Sequence, residues 1–404
     1  MIIQPPPLSL YVHLPWCVKK CPYCDFNAHP LRGEVPQADY INQLLKDLEQ
    51  DLPRVWGREV VSIFFGGGTP SLFSPDSFDF LLSKLRSYLP LSQNVEITLE
   101  ANPGTMEKKI ARGSFSDYRQ AGINRISLGV QSFSSKHLSL LGRIHDARAA
   151  YSAVEEIQRA GFDTYNIDLM HGLPEQDLAG ALTDLNTAIE LGAPHISWYQ
   201  LTLEANTLFA VKPPILPSED ALADIEEAGF EMLSKAGYER YEVSAFAKIR
   251  TSPTETKKLN HRSIHNQNYW MFGDYLGIGA GAHAKITDVA TQEIHRFFKF
   301  KHPKIYLAAG KSDADKKGFI QQHQVLGAEA LPLEFMLNAL RLREGFPLKL
   351  FEERTGLTWQ TLAPAVDQSI SKGLLQLSGA EKNWVAPTPL GFRFLNELLL
   401  LFGA

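Results

Sequence analysis

Cysteine is scarce in this chain. Three residues in 404 is an odd and sparse count, which excludes a disulfide framework and points to a reducing compartment. Long hydrophobic runs are missing too. Stretches such as Leu398 to Phe402 fall far below the roughly 18 residues that a membrane span needs, and the start MIIQPPPLSL has no basic segment leading into an apolar one. The expected location is cytoplasmic. Positive charge is not in excess: Lys+Arg 40 against Asp+Glu 45 gives −5, with a pI near 6.2. No overall field therefore gathers nucleic acid or anionic lipid. At 44% hydrophobic and 21% charged residues the composition is that of a globular protein, which excludes disorder and collagen-like repeats. Internal repeats and low-complexity segments are absent, and the length gives a soft prior of about two to three folding units.

Residues 8–247 alternate short β-branched or apolar runs with longer segments of helical period, the pattern of repeated βα units around a parallel sheet. Strands are predicted at Ser9–Leu14, Val60–Phe65, Val95–Glu100, Arg125–Val130, Thr164–Leu169 and His195–Leu201, with a seventh at Tyr241–Ala245. Helices are predicted at Asp39–Leu52, Pro75–Leu89, Asp146–Ala160 and Asp177–Leu191, with Gly161 and Gly192 as stops. This predicts an α/β fold, a full or partial (βα) barrel spanning residues 1–250. After it the composition shifts. Residues 251–330 form a connecting region with an exposed loop at Thr251–Lys258, a glycine-rich stretch at Gly273–His283 and a charged turn at Lys311–Lys317. Residues 331–404 predict a helical, winged-helix-like domain: helices Leu333–Leu342, Leu348–Thr355 and Trp359–Lys372, a two-stranded wing at Leu374–Leu377 and Trp384–Ala386, and a last helix to Leu400. A wing and three helices also suggest a DNA-binding module. The third helix carries one basic and one acidic residue, too little charge for phosphate contacts to hold DNA, so no nucleic-acid partner is expected.

Barrels of this kind place chemistry at the C-terminal ends of their strands. Polar residues gather there: Gly66-Gly67-Gly68-Thr69-Pro70 after one predicted strand, Glu100 at the end of the next, then Gln131 and Asp168. All three cysteines, Cys17, Cys21 and Cys24, lie just past the first strand. Thiolates at this spacing can converge on one inorganic centre, and soft sulfur ligands select zinc, copper(I) or iron–sulfur. Structural zinc needs a fourth ligand, here His13 or His29. A thioredoxin-like pair uses only Cys21 and Cys24. A three-cysteine iron–sulfur cube leaves one iron open to a substrate or cofactor. The plain alternative is three small buried hydrophobes.

The CxxxCxxC spacing, placed after the first strand of a βα pattern, resembles the radical S-adenosylmethionine superfamily. The resemblance implies a partial (βα)6 TIM-like barrel, in which Cys17, Cys21 and Cys24 hold three irons of a 4Fe–4S cluster while S-adenosylmethionine chelates the fourth. One-electron reduction then cleaves the cofactor to methionine and a 5′-deoxyadenosyl radical, the cofactors supplying the hard chemistry. It also implies that Gly67, Gly68 and Thr69 cradle the methionyl end, where glycine lets backbone approach a ligand closely, and that Tyr11, Glu100, Gln131, Arg143 and Asp168 contact the cofactor. Carboxylates suit ribose hydroxyls and the amine, and an arginine suits the carboxylate.

Within that superfamily the whole chain, C-terminal unit included, resembles two groups, the oxygen-independent coproporphyrinogen dehydrogenases (HemN) and the HemW heme chaperones. The dehydrogenases have a further cysteine two residues after the third, where this chain has Phe26, and a longer segment before the first. His265-Asn-Gln-Asn-Tyr-Trp270 matches the HNxxYW motif of the HemW family, whose histidine is implicated in heme binding. Imidazole is a common axial heme ligand and aromatic rings pack on porphyrin faces. A buried hydrogen-bonding cluster is the structural alternative, and His261 and His283 are rival ligands. The resemblance implies a carrier that binds heme and passes it to acceptor hemoproteins at or near a membrane, with cluster and cofactor gating transfer or promoting a homodimer. The competing class is oxidative decarboxylation of coproporphyrinogen III.

Overall fold

The computed structural model describes residues 2, 4–107, 110, 112–250, 259–309, 318–379, 381 and 383–403. The expected loop Thr251–Lys258 and the charged turn Lys311–Lys317 lie outside these residues.

Six strands run parallel: β1 (Leu8–Leu14), β2 (Val60–Gly67), β3 (Leu91–Ala101), β4 (Arg125–Gln131), β5 (Thr164–His171) and β6 (His195–Gln200). They pair in chain order, which is the partial barrel predicted. In β1, six of the seven residues of LSLYVHL are buried, as expected of a parallel strand covered on both faces. Helices α1 (Gln37–Asp51), α2 (Pro75–Tyr88), α3 (Phe115–Gln120), α4 (Ala147–Arg159) and α5 (Leu178–Glu190) lie in the five crossovers, and α6 (Glu219–Lys235) follows β6. Helix α1 buries Tyr40, Ile41, Leu44, Leu45 and Leu48, an i, i+3, i+4 stripe facing the sheet. The starts of α4 and α5 are set by Asp146 and Asp177, whose carboxylates accept from the N–H groups of Ala149 and Gly180 at 3.1 and 2.8 Å. Their ends are set by Gly161 and Gly192, at φ +77° and +73°, the left-handed geometry that closes a helix.

The seventh strand is displaced from its predicted position. Tyr241–Ala245 is mostly turn, and the strand β7 is Ala245–Arg250, antiparallel to β6. Short apolar runs do not reveal strand direction, and Glu242 instead bridges to Leu342 of the C-terminal unit.

The glycine-rich stretch holds a strand and the turn that follows it. β8 (Asp274–Ile278) pairs parallel to the free side of β1, and β9 (His283–Asp288), β10 (Glu293–Lys299) and β11 (Ile320–Val325) extend the sheet antiparallel beyond it. Glycine is required here by close packing: a Cβ on Gly277 would stand 1.9 Å from the His283 carbonyl oxygen. The extension is fastened by Lys299, whose ammonium meets Asp47 and Asp51 at 2.5 and 2.6 Å in the interior.

The C-terminal unit contains α8 (Leu331–Ala339), α9 (Leu348–Thr355) and α10 (Ala363–Ser371), and ends in α11 (Leu395–Leu400). Its wing has three strands, not two, because Phe346–Pro347 adds to Trp384–Pro387, which pairs with Leu375–Ser378. Phe335, Phe346 and Phe351 centre its core, and Ile2, Phe272 and Ile294 from earlier in the chain join it.

Candidate functional site

The C-terminal ends of the six parallel strands surround a cavity of about 600 Å³. Ten of the residues singled out above line it: Cys17, Cys21, Cys24, Gly67, Gly68, Thr69, Glu100, Gln131, Arg143 and Asp168. Tyr11 lies behind that wall, beside His13, with its hydroxyl 3.0 Å from His13 Nδ1.

The cysteines are free thiols on the loop after β1. Cys17 is in a two-residue pairing with Pro30, and the Cys24 N–H donates to the Cys21 carbonyl at 3.1 Å, so the loop is folded on itself before any ligand arrives. Burial pushes the Cys17 thiol up to about 11, and burial raises Cys24 as well. Such groups give up their protons readily only to a metal centre. Arg143 donates to the Gly129 carbonyl at 2.8 Å, and one of its nitrogens is 3.7 Å from Cys21 Sγ.

The glycines are clamped against this loop. Gly67 has φ +124°, and a Cβ there would meet the Leu14 carbonyl oxygen at 2.8 Å; on Gly68 it would stand 2.4 Å from the Trp16 carbonyl oxygen. The Gly68 and Thr69 N–H groups donate to the Leu14 and Trp16 carbonyls at 2.9 and 2.7 Å. Gly67 also donates to Glu100 Oε2 at 3.1 Å.

Glu100 and Asp168 share the same pocket. Burial pushes the Glu100 pKa up to about 8 and the nearby Asp168 charge adds to it. Burial raises Asp168 too, against hydrogen bonds from Asn166 at 2.7 Å and Ser127 at 3.1 Å. Two carboxylates short of positive charge are a site prepared for a cation. Gln131 is held at φ +72° with its side-chain oxygen accepting from the Tyr199 hydroxyl at 2.7 Å, a backbone geometry that non-glycine residues rarely adopt outside sites. The Arg143 Nε is buried without a partner. A ligand with a cationic centre, an amine and a carboxylate matches this donor set.

Tyr199, Asn166 and Ser127 were missed by sequence reading. Tyr199 sits at the end of β6, so the strand-end rule had the signal. Asn166 shares a face of β5 with Asp168, two residues on, so strand alternation held that signal; Ser127 lies inside β4, and only the pairing of β4 with β5 brings it to Asp168.

His265 opens the helix α7 (Ile264–Trp270), inserted here in chain order between α6 and α8 but packed against β1 and β2. Glu96 of β3 caps it, accepting from the His265 and Ile264 N–H groups at 3.0 and 3.2 Å. The imidazole is sealed: His265 is 2% exposed, its ring stacks on Phe64 at 5.0 Å and meets Tyr269 edge-on at 4.9 Å. Its Nδ1 is 2.9 Å from Ser62 Oγ, and its Nε2 has no partner. Burial lowers its pKa to about 3, so it is neutral. The rest of the motif is a junction: Asn268 donates to Ser9 Oγ and the Asp274 carbonyl, and Arg341 of the C-terminal unit lies 4.2 Å over the Trp270 ring. Tyr269 reaches a second cavity, of about 620 Å³, that shares Lys20, Asp25, Phe26, Gly67 and Glu100 with the first.

The class follows from this site and fold. Residues 11–185 match the family model of the Radical SAM superfamily, and residues 326–394 that of the HemN C-terminal domain. That superfamily implies a 4Fe–4S cluster and S-adenosylmethionine. The solved structure of coproporphyrinogen III oxidase (HemN) from Escherichia coli shares the fold, with a TM-score of 0.78 and 22% identity over 99% of this chain and 91% of that one. The heme chaperone HemW of Escherichia coli K12 is 47% identical over 401 residues, covering 99% of both chains, and that of Haemophilus influenzae is 48% identical over 98% of both. Heme chaperone HemW of Bacillus subtilis is 32% identical over 92% of this chain and 93% of its own. The chain belongs to the HemW family.

Proposed function

We propose that this chain binds heme and hands it to acceptor hemoproteins, working from the cytoplasm with transient contact at a membrane where the acceptor is membrane-bound. The observation that carries this reading is the placement of the HNxxYW helix: Asn266 lines the strand-end cavity and Tyr269 lines the second cavity beside it. One short helix thus touches both the cofactor pocket and a chamber with aromatic walls. Among the described residues no helix is long and apolar enough to cross a membrane.

In this reading Cys17, Cys21 and Cys24 hold the cluster. Gly67, Gly68 and Thr69 present backbone to the methionyl end of S-adenosylmethionine, and Tyr11 backs that wall. Arg143 pairs with the carboxylate, while Glu100, Gln131 and Asp168 receive the amine and the ribose. When bound, the cluster and S-adenosylmethionine supply one-electron reductive chemistry at the strand ends. Binding a cation beside Glu100 and Asp168 draws both to their ionised forms, and the hydrogen bond from Gly67 keeps Glu100 aimed into the cavity. The motif offers His265 as an imidazole for heme, but its ring could reach iron only by leaving Phe64 and Tyr269, which seal it. Cofactor occupancy then gates release of heme or the joining of two copies, through α7 and its contacts with the C-terminal unit.

The test is anaerobic. Protein with its cluster reconstituted is given coproporphyrinogen III, S-adenosylmethionine and reductant, and in a second vessel heme-loaded protein is mixed with an apo-hemoprotein. Heme transfer with no porphyrinogen turnover is the expected result; many turnovers of decarboxylation would make the chain a biosynthetic enzyme instead.

A further inference from the structure

The second cavity is lined in part by residues outside the strand-end cavity, Tyr269, Tyr275, His283 and Lys301 among them. Phe26, 63% exposed, stands at its edge with the tyrosines Tyr269 and Tyr275, whose rings pack 4.4 Å apart. Lys20 and Lys301 are exposed at the same mouth. Its volume, about 620 Å³, lies in the roughly 300–1,000 Å³ range of small-molecule and cofactor sites. Aromatic rings beside exposed ammonium groups suit a flat, apolar macrocycle with anionic edges.

Three imidazoles line this chamber: His13, His29 and His283. Both nitrogens of His13 are engaged, Nδ1 with the Tyr11 hydroxyl and Nε2 with the Asn27 carbonyl, each at 3.0 Å. His29 Nε2 is 3.1 Å from Asn27 Oδ1, and the ring also bonds the Lys301 backbone. His283 differs. It opens β9, is exposed, packs edge-on against Phe298 at 4.4 Å, and makes no side-chain hydrogen bond among the described residues. A ring fixed by an aromatic neighbour with its nitrogens free is prepared to ligate. Partial desolvation of the ring against its neighbours, then the charges of Lys301 and Arg296, lower its pKa, which keeps the lone pair available at neutral pH.

We infer that His283 is the axial ligand of the carried heme, which lies in the chamber between Phe26 and the Tyr269–Tyr275 pair with its propionates toward Lys20 and Lys301. His265 then acts as a positioning residue. Buried behind Tyr269, it sets that wall of the chamber without touching iron. The chamber shares Gly67 and Glu100 with the strand-end cavity, so heme and cofactor occupy adjoining spaces and each senses the other's occupancy. The assignment rests on the carrier reading above.

The experiment is a titration of the full chain, cluster reconstituted, with ferric heme, followed by the Soret band and by electron paramagnetic resonance. His283→Ala is expected to lose the imidazole signature and about tenfold or more in affinity, the scale on which disturbing a metal's protein partners is felt. His283→Tyr is expected to bind with a phenolate signature instead, and His265→Ala to keep the imidazole one. Unchanged cluster absorbance shows that each variant is folded. An unaltered spectrum and affinity in His283→Ala, or loss of the imidazole signature in His265→Ala alone, would overturn the assignment while leaving heme carriage standing. No heme binding by the unsubstituted chain would overturn the carrier reading itself, and this assignment with it.

Discussion

Gly68→Ala tests how the fold presents its cysteines. The added methyl would stand 2.4 Å from the Trp16 carbonyl oxygen and 2.6 Å from its carbon, about 1 Å inside ordinary contact. The obstacle is backbone, so no side chain can rotate away. Trp16 has to move, and Cys17 is joined to it. That movement also stretches the 2.7 Å bond from the Thr69 N–H to the Trp16 oxygen. Overpacking costs about 1–3 kcal/mol and the lost hydrogen bond about 0.5–1.5 kcal/mol, enough to displace the loop locally without unfolding a chain of this size. The control is Gly57→Ala, where φ is +74° and a Cβ meets nothing within 4 Å. Its penalty is the left-handed backbone alone, roughly 1–2 kcal/mol, at a distance from the cysteines. Iron and sulfide per chain after anaerobic reconstitution are measured beside the melting temperature. Both variants are expected to melt lower, with Gly57→Ala taking up full iron and Gly68→Ala little. A Gly68→Ala protein with full iron content and an unshifted melt would refute the coupling of the glycine turn to the cysteine loop.

Changing any one of Cys17, Cys21 or Cys24 to Ala should abolish cluster uptake, read as iron content, yet leave the far-ultraviolet circular dichroism unchanged, because no disulfide depends on them. Glu100 makes the cofactor-free chain pH-sensitive. Its folded pKa, about 8, is above the unfolded carboxyl value, so the folded state binds more protons and stability falls as pH rises between the two. Glu100→Gln should therefore be more stable than the unsubstituted chain near pH 8.5 and lose that advantage toward pH 4, as followed by denaturant midpoints; an advantage that is flat across the range would contradict the burial of this carboxyl. Lys299→Met leaves Asp47 buried without a cation, while Asp51 keeps Arg54 at 2.5 Å, and should cost about 3–5 kcal/mol in equilibrium unfolding. Asp47 and Asp51 are on α1 and Lys299 on β10, so a small loss would mean that the outer sheet is held by other contacts.

Much of the fold is legible in the sequence for local reasons. Strands such as β1 and β2 read as short apolar runs because both faces of the sheet are covered, and helix ends are written in single residues such as Asp146, Asp177, Gly161 and Gly192, whose effects are confined to one turn. The cysteine spacing and the strand-end residues Glu100, Gln131 and Asp168 are legible for a related reason: in a βα repeat, the end of a strand is the mouth of the barrel, so position along the chain gives position in the site. Tertiary structure decided what local pattern does not carry. The direction of β7, the strand within the glycine-rich stretch and the placement of β8 beside β1 depend on which edge was left open, and β8 lies more than two hundred residues from β1. Burial likewise follows from packing. The sequence marks His265 by its motif and offers His283 only as one rival, but the ring of His265 is closed in by Phe64 and Tyr269 while that of His283 opens onto a cavity. Access to an imidazole depends on what folds over it, and that is decided only when α7 seals against β1 and β2 and β9 turns its first residue outward.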